Sequence, residues 1–291
     1  YEISADKLTY TFTLRDGLKF NDGTAVTTKD VIASLKRWGS KDGVGIRLLS
    51  FVDKLEAVDD KTFRMVLKKP YGMVLESLGK TNSSVAVIMR EQEAKTDPQQ
   101  QVKESIGSGP FNFAKDQWVP GSKAVYVKNP HYVPRPGNEP PSSFAGTKFA
   151  GVDRIELQWI SDPQTAMSAL INGEIDFFEA PSIDFLPILE KAKGVKLMKT
   201  GTLDSTHGMI RLNHLHPPFD NPKARQAMYH LINQEDFLRA IVGNPAYYRV
   251  CHGLITCGSP LANDGGSAML KDYNPKKALQ LLKEAGYKGE P

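Results

Sequence analysis

Asp162-Pro163-Gln164-Thr165-Ala166-Met167-Ser168-Ala169-Leu170-Ile171-Asn172-Gly173 is the stretch on which the fold class turns. Asp162 is a capping residue, and Pro163 sits at the first helical position, where a missing N–H leaves no bond unmade. Ala166, Met167, Leu170 and Ile171 then fall on one face, and Gly173 closes the run. Upstream, Arg154 to Ile160 reads as a short strand, and downstream Ile175 to Glu179 reads as another. Strand, helix, strand implies an α/β core with a mixed sheet. The same grammar returns at Asn221-Pro222, with Ala224, Met228, Leu231 and Ile232, and at Asn274-Pro275, with Ala278, Leu281, Leu282 and Ala285 before Gly286. Val195 to Met198 and Met209 to Leu212 read as further short strands. The spacing between the three helices differs, so they do not form a sequence repeat.

Toward the start of the chain the period changes. Leu8 to Leu14 alternates apolar residues with Thr, the pattern of a half-buried strand. Asn21-Asp22-Gly23-Thr24 is a turn, and Val26-Thr27-Thr28 offers a cap to a helix carrying Val31, Ile32, Leu35 and Trp38 and ending at Gly39. Phe51 to Val58 and Thr62 to Leu67 read as a hairpin about Asp59-Asp60-Lys61. Between Asn129 and Gly151, Pro130, Pro134, Pro136, Pro140 and Pro141 forbid a continuous helix, and a surface loop is expected.

The totals set outer bounds. A length of 291 residues favours two lobes, or one large lobe with an insertion. With 40% hydrophobic and 24% charged residues the chain has an ordinary globular composition, and no apolar run approaches the roughly 20 residues of a membrane span. Thirty-seven basic residues against 33 acidic ones give +4, with the signs interspersed. Even the Lys-containing stretch from Lys191 to Lys199 reads as a helix end and a strand, so no nucleic-acid partner is expected. Tyr1-Glu2-Ile3-Ser4 has neither initiator Met nor apolar leader, which places any export signal outside these residues and suggests a piece of a longer chain. Cys251 and Cys257 lack CxxC spacing and a second pair. In an exported protein they would close a small disulfide loop worth about 2 kcal/mol; two unpaired thiols are the alternative.

Catalytic constellations fail on spacing. Ile106-Gly107-Ser108-Gly109-Pro110 does not match the G-x-S-x-G elbow of serine hydrolases. Ser4-Ala5-Asp6-Lys7 and Lys199-Thr200-Gly201 match two of the three motifs of penicillin-binding enzymes, but the S-D-N motif is missing. Asn112 stands where a phosphate-binding G-x-G-x-x-G needs its third glycine, and Pro110 removes a donor. His214 and His216, with His207 nearby, precede Pro217-Pro218 and read as solvated residues at a strand exit, with no metal site expected. Glu174 and Asp176 read as strand-edge acids, and Tyr247-Tyr248 as packing residues. No enzyme activity and no cofactor are expected.

Taken together, five segments resemble the family-five bacterial extracellular solute-binding proteins, the dipeptide-, oligopeptide- and nickel-binding components of ABC transporters. They are Leu8 to Thr24 with Thr28-Lys29-Asp30-Val31; Gly107-Ser108-Gly109-Pro110-Phe111 with Asn129-Pro130-His131-Tyr132; and Asp162-Pro163 through Gly173-Glu174-Ile175-Asp176. Asn213 through Pro217-Pro218-Phe219-Asp220 to Arg225-Gln226-Ala227 is the fourth, and Tyr273-Asn274-Pro275 through Ala285-Gly286-Tyr287 the fifth. They follow the family's order over nearly the whole chain. Ser108 replaces the usual Thr, and Ile232-Asn233-Gln234 stands where Ile-Asp-Arg or Ile-Asp-Lys is common; the Cys251 to Cys257 segment matches no family motif.

The resemblance implies a two-lobed α/β architecture of the type II periplasmic-binding-protein kind with mixed sheets, here incomplete. Residues 1–212 would form most of the first lobe, with an inserted strand-rich subdomain, and 213–291 the start of the second. The hinge would pass through Arg211, Leu212 and Asn213. The implied function is capture of peptides or similar small polar solutes by lobe closure and delivery to the transmembrane subunits of an ABC permease, in the periplasm. A metal chelate or other non-peptide solute, or a ligand-sensing scaffold, is the alternative. Thr81, Asn82 and Ser83 in a polar loop, Ser108 in the Gly-rich turn, and His207 and Asn213 beside the hinge are the candidate ligand contacts.

Overall fold

The computed structural model describes residues 1–80, 84–137, 139–140, 146–199 and 208–289. The chain divides into two compact units, Tyr1–Ile160 and Ser161–Pro291.

The first unit is organised by the alternating strands read from the sequence. A sheet of order β1-β2-β4-β3 is formed by β1 (Glu2–Ile3), β2 (Thr9–Thr13), β3 (Val52–Ala57) and β4 (Thr62–Leu67). All its ladders are antiparallel, with Tyr10 opposite Met65 and Phe12 opposite Phe63. The tip of the β3–β4 hairpin is held by Asp59, whose carboxylate accepts the N–H groups of Lys61 and Thr62, both at 2.7 Å. Phe63, Met65 and Leu67 point to one side because strand side chains alternate, and all three are buried there. Helix α1 (Thr28–Trp38) covers that side with Val31, Leu35 and Trp38, at the i, i+4, i+7 spacing of one helix face. Met65 and Leu48 are fully enclosed in this core, a contribution of about 2 kcal/mol each from removing apolar surface from water.

Helix α2 (Gly43–Phe51) was not read from the sequence, and it carries Gly43 and Gly45, residues that weaken a helix. Asp42 caps it, accepting the N–H groups of Val44 at 3.0 Å and Gly45 at 3.1 Å. The reason for Gly45 is contact: a Cβ there would lie 2.9 Å from the Gly39 Cα and 2.9 Å from the Trp38 ring. The helix crosses the end of α1 at a distance that excludes a side chain. Short helices α3 (Val74–Leu78) and α4 (Glu91–Ala94) follow. A second antiparallel sheet, of order β5-β6-β7, is built from β5 (Phe111–Phe113), β6 (Lys123–Lys128) and β7 (Arg154–Gln158). Among the described residues from Asn129 to Gly151 there is no helix or strand, as the prolines require.

The second unit contains α5 (Pro163–Asn172), α6 (Leu186–Leu189), α7 (Pro222–Leu231), α8 (Gln234–Ile241) and α9 (Pro275–Glu284). The three proline-led helices begin as read. Asp162, Asn221 and Asn274 accept N–H bonds from Thr165, Lys223 and Lys277. Gly173 ends α5 in the left-handed conformation at φ 75°. α7 and α9 pack through Ala224, Ala227 and Ala278, all without exposed surface, and small side chains let the two backbones approach. His230, also buried, donates from Nδ1 to the Asp272 carbonyl at 2.7 Å, and Asn274 N–H bonds to the His230 carbonyl at 2.8 Å.

Three stretches read as strands, Ile175 to Glu179, Val195 to Met198 and Met209 to Leu212, run without ladder partners among the described residues. A strand exists only when a neighbour takes its N–H and C=O groups, and alternation alone does not supply one. Every ladder formed among the described residues is antiparallel. No helix of the described residues is long and apolar enough to cross a membrane.

Candidate functional site

In the first unit, the first two of the five sequence segments meet. Asn21 donates its N–H to the Gly107 carbonyl at 2.8 Å and its side-chain amide to the Phe111 carbonyl at 3.2 Å. The Asn129 amide donates to Gly109 at 2.8 Å and to Asn21 Oδ1 at 3.1 Å, while Asn129 Oδ1 accepts the His131 N–H at 2.9 Å. Asn129 is buried, so these bonds replace water that cannot reach it. Gly107 and Gly109 therefore serve as acceptors in a structural junction. Ser108, between them, is half-buried, and its hydroxyl has no hydrogen-bond partner among the described residues.

Thr81, Asn82 and Ser83 lie outside the described residues; the residues on either side, Lys80 and Ser84, are both held by partners. Lys80 pairs with Asp42 at 2.6 Å, and Trp38 Nε1 donates to the Ser84 carbonyl at 2.6 Å. Farther along, Ser34 exchanges hydrogen bonds with both the N–H and the carbonyl of Met89. Arg90 bridges Asp22, at 2.8 Å, and Glu93. The hydroxyl of Thr24, its N–H and then Arg90 hold the Asp22 carboxyl below its usual value. Arg90 first, with help from Gln92, does the same for Glu93.

In the second unit, residues 209–214 lie outside helix and strand beside α7, all exposed except the half-buried Leu212. Asn213 turns the chain: its Oδ1 accepts the Leu215 N–H at 3.0 Å. Arg225 secures the following loop by donating to the Phe219 and Asp220 carbonyls at 2.7 and 3.0 Å. Between this segment and α7 lies an open depression of about 450 Å³, and Arg211, Leu212, Asn213 and His214 line a second of about 460 Å³. The first is walled by Met209, Ile210 and Leu212 on one side and by Arg225, Gln226 and Tyr229 of α7 on the other. The sequence reading picked out Arg211, Leu212 and Asn213 but not the α7 residues. Their signal was available: 222, 225, 226 and 229 share one helix face shortly after the candidate hinge residues.

His207 lies outside the described residues, as do Thr81, Asn82 and Ser83. Among the described residues no group of three His, Cys, Asp or Glu side chains could hold a metal ion. Cys251 and Cys257 form a disulfide with Cα atoms 5.8 Å apart, and Cys251 N–H donates to Gln234 Oε1 of α8 at 3.1 Å.

The sequence matches the family model of bacterial extracellular solute-binding proteins, family 5, over residues 1–291. The chain belongs to that family. This family 5 chain is 42% identical to the probable peptide ABC transporter periplasmic-binding protein y4tO of Sinorhizobium fredii, over 99% of its own length and 54% of that protein. It is 30% identical to the glutathione-binding protein GsiB of Pectobacterium atrosepticum, over 99% of its own length and 52% of that protein. Among solved structures it resembles the periplasmic binding protein DppA of Helicobacter pylori in complex with peptide STSA. The TM-score is 0.69 at 25% identity, covering 98% of this chain and 56% of DppA. The chain spans about half the length of the curated relatives it matches. The family is one of extracellular solute-binding proteins, and y4tO and DppA are named as periplasmic binding proteins of, or associated with, ABC transporters.

Proposed function

We propose that the protein of which this chain forms a part is the substrate-binding component of an ABC importer, capturing peptides or similar small polar solutes in the periplasm and handing them to a membrane permease. The match to family 5 over all of residues 1–291 carries this reading. Residues 1–212 belong to the first lobe and 213–291 to the start of the second, a boundary that falls inside the second compact unit. Arg211, Leu212 and Asn213 are the hinge, in a run outside helix and strand where a backbone change can be absorbed. Thr81, Asn82, Ser83, Ser108, His207 and Asn213 contribute contacts to the solute.

No bond needs to be made or broken. A solute favours the closed form only to the extent that it binds closed better than open, and the permease reads the resulting shift in population. Ser108 suits such a role, because a half-buried hydroxyl without a protein partner has its donor and both lone pairs available. The test is native mass spectrometry of the full-length protein purified gently from its source. Carried masses matching short peptides or comparable polar solutes are expected. A protein that emerges empty, and that no member of a peptide and polar-solute library stabilises against heat, removes the reading.

A further inference from the structure

The geometry points to a covalent chemistry at the Cys251–Cys257 bridge: exchange with small-molecule thiols, in which the incoming sulfur bonds to Cys257 and Cys251 leaves as the thiolate. The site is independent of the importer reading. Both cysteines are half-buried rather than enclosed, and Leu254 between them is 95% exposed, so the loop opens to solvent. The two sulfurs have different surroundings. Cys251 Sγ accepts the backbone N–H of Cys257 at 3.2 Å, whereas no hydrogen bond reaches Cys257 Sγ among the described residues.

A thiolate attacks one sulfur of a disulfide and displaces the other, and displacement is faster when the departing thiolate is better stabilised. A hydrogen bond to the charged form stabilises it, so the Cys257 N–H favours Cys251 as the leaving group. That bond outlasts the bridge, because the loop is held by contacts other than the bridge. Cys251 N–H donates to Gln234 Oε1 at 3.1 Å, and Arg249 donates to the Cys257 carbonyl. Gly253 passes so close to Asn263 that a Cβ there would lie 2.8 Å from the Asn263 carbonyl oxygen. The Arg249 guanidinium also keeps a positive charge beside the loop, which favours a thiolate. In the exchange, R–S⁻ attacks Cys257 Sγ, the Cys251–Cys257 bond breaks, an R–S–S bond to Cys257 forms, and the electron pair of the broken bond leaves on Cys251. Held next to Cys257, that thiolate attacks the mixed disulfide in turn, expels R–S⁻ and restores the bridge. No oxidant or reductant beyond the thiol takes part.

The experiment treats the full-length protein with mercaptoethanol, folded and in urea, stops the reaction in acid, alkylates free thiols with N-ethylmaleimide and maps the peptides by mass spectrometry. In the folded protein, chains with mercaptoethanol on Cys257 and maleimide on Cys251 are expected to outnumber the reverse by about threefold or more. In urea, where the Cys257 N–H no longer faces Cys251 Sγ, the ratio is expected to fall toward one. A second measurement compares single thiols: Cys251 in Cys257→Ser is expected to react with iodoacetamide faster at neutral pH than Cys257 in Cys251→Ser, because serine keeps the backbone N–H. The wild-type ratio needs no substitution, so it decides the matter even where a variant fails to fold. A ratio near one in the folded protein, a reversed ratio, or a bias of the same size in urea overturns the inference. So does a bridge that mercaptoethanol leaves intact in the folded protein, or equal reactivity of the two single thiols in folded variants.

Discussion

Asp30 joins two parts of the first unit that are 61 residues apart in sequence. Its Oδ2 accepts the N–H and hydroxyl of Thr27, at 2.7 and 2.8 Å, and its Oδ1 accepts the Glu91 N–H at 2.8 Å. The local half of that arrangement is readable, because a Thr three residues ahead of an acid at a helix start is a capping pattern. The distant half is not, since nothing near Asp30 names Glu91. Gly45 gives a sharper test of the same limit. Gly45→Ala places a methyl 2.9 Å from Gly39 Cα and from Trp38, and a destabilisation of about 1–3 kcal/mol is expected in urea titration. Gly43→Ala, with nothing within 4 Å of its Cβ, is expected to be neutral or to stabilise by up to about 1 kcal/mol. Equal losses at the two positions would contradict the close crossing of α1 and α2. Glu93 yields a pH prediction. Arg90 holds its folded-state value below the ordinary 4.5, so its contribution is present above about pH 4.5 and is lost as pH falls through the lower folded value. Glu93→Gln is therefore expected to be less stable than wild type at pH 7, with the gap closing in denaturant titrations below pH 4.5.

Elements were most legible where the chain itself satisfies their ends. α5, α7 and α9 each carry a capping side chain, a proline at the first position and an amphipathic face, and each was placed from local residues alone. Asn274→Ala removes a bond to the Lys277 N–H and is expected to lower stability by about 1 kcal/mol, read as a shift in thermal midpoint. α8 shows what a departure from the family pattern does. Asn233, where Asp is common, accepts the Glu235 N–H at 3.1 Å, so the helix start keeps its cap without the charge. The disulfide loop after α8 is the other local element. Cys251→Ser with Cys257→Ser is expected to lose about 2 kcal/mol, the chain-entropy contribution of so short a loop, and reductant should lower the wild-type midpoint to match. Strands fared unevenly. β4 was placed because half of its side chains are buried against α1, whereas Ile175 to Glu179 and Met209 to Leu212 have the pattern but no partner among the described residues.

For the whole molecule, the proposed lobe closure predicts that a bound solute reduces the radius of gyration of the full-length protein in small-angle scattering. Substituting Pro at Leu212 should blunt that change, because proline fixes the φ angle that the proposed hinge must vary. An unchanged radius with saturating solute would remove hinged closure from the account. The family motifs were recognisable at this scale because they are the residues that tie distant segments together. Asn21, Gly107, Gly109 and Asn129 form one hydrogen-bonded junction, so their spacing cannot drift independently. By itself, the sequence determined the starts of the proline-led helices, the hairpin of β3 and β4 and the family, since each depends on neighbours within a few residues or on an ordered set of motifs. Tertiary structure alone decided that α2 is a helix crossing α1 at Gly45, that Asp30 anchors Glu91, which of the described strands find partners, and that Arg211 lines one depression with residues of α7. These depend on which surfaces are brought together across long separations, and the local pattern of residues does not encode that.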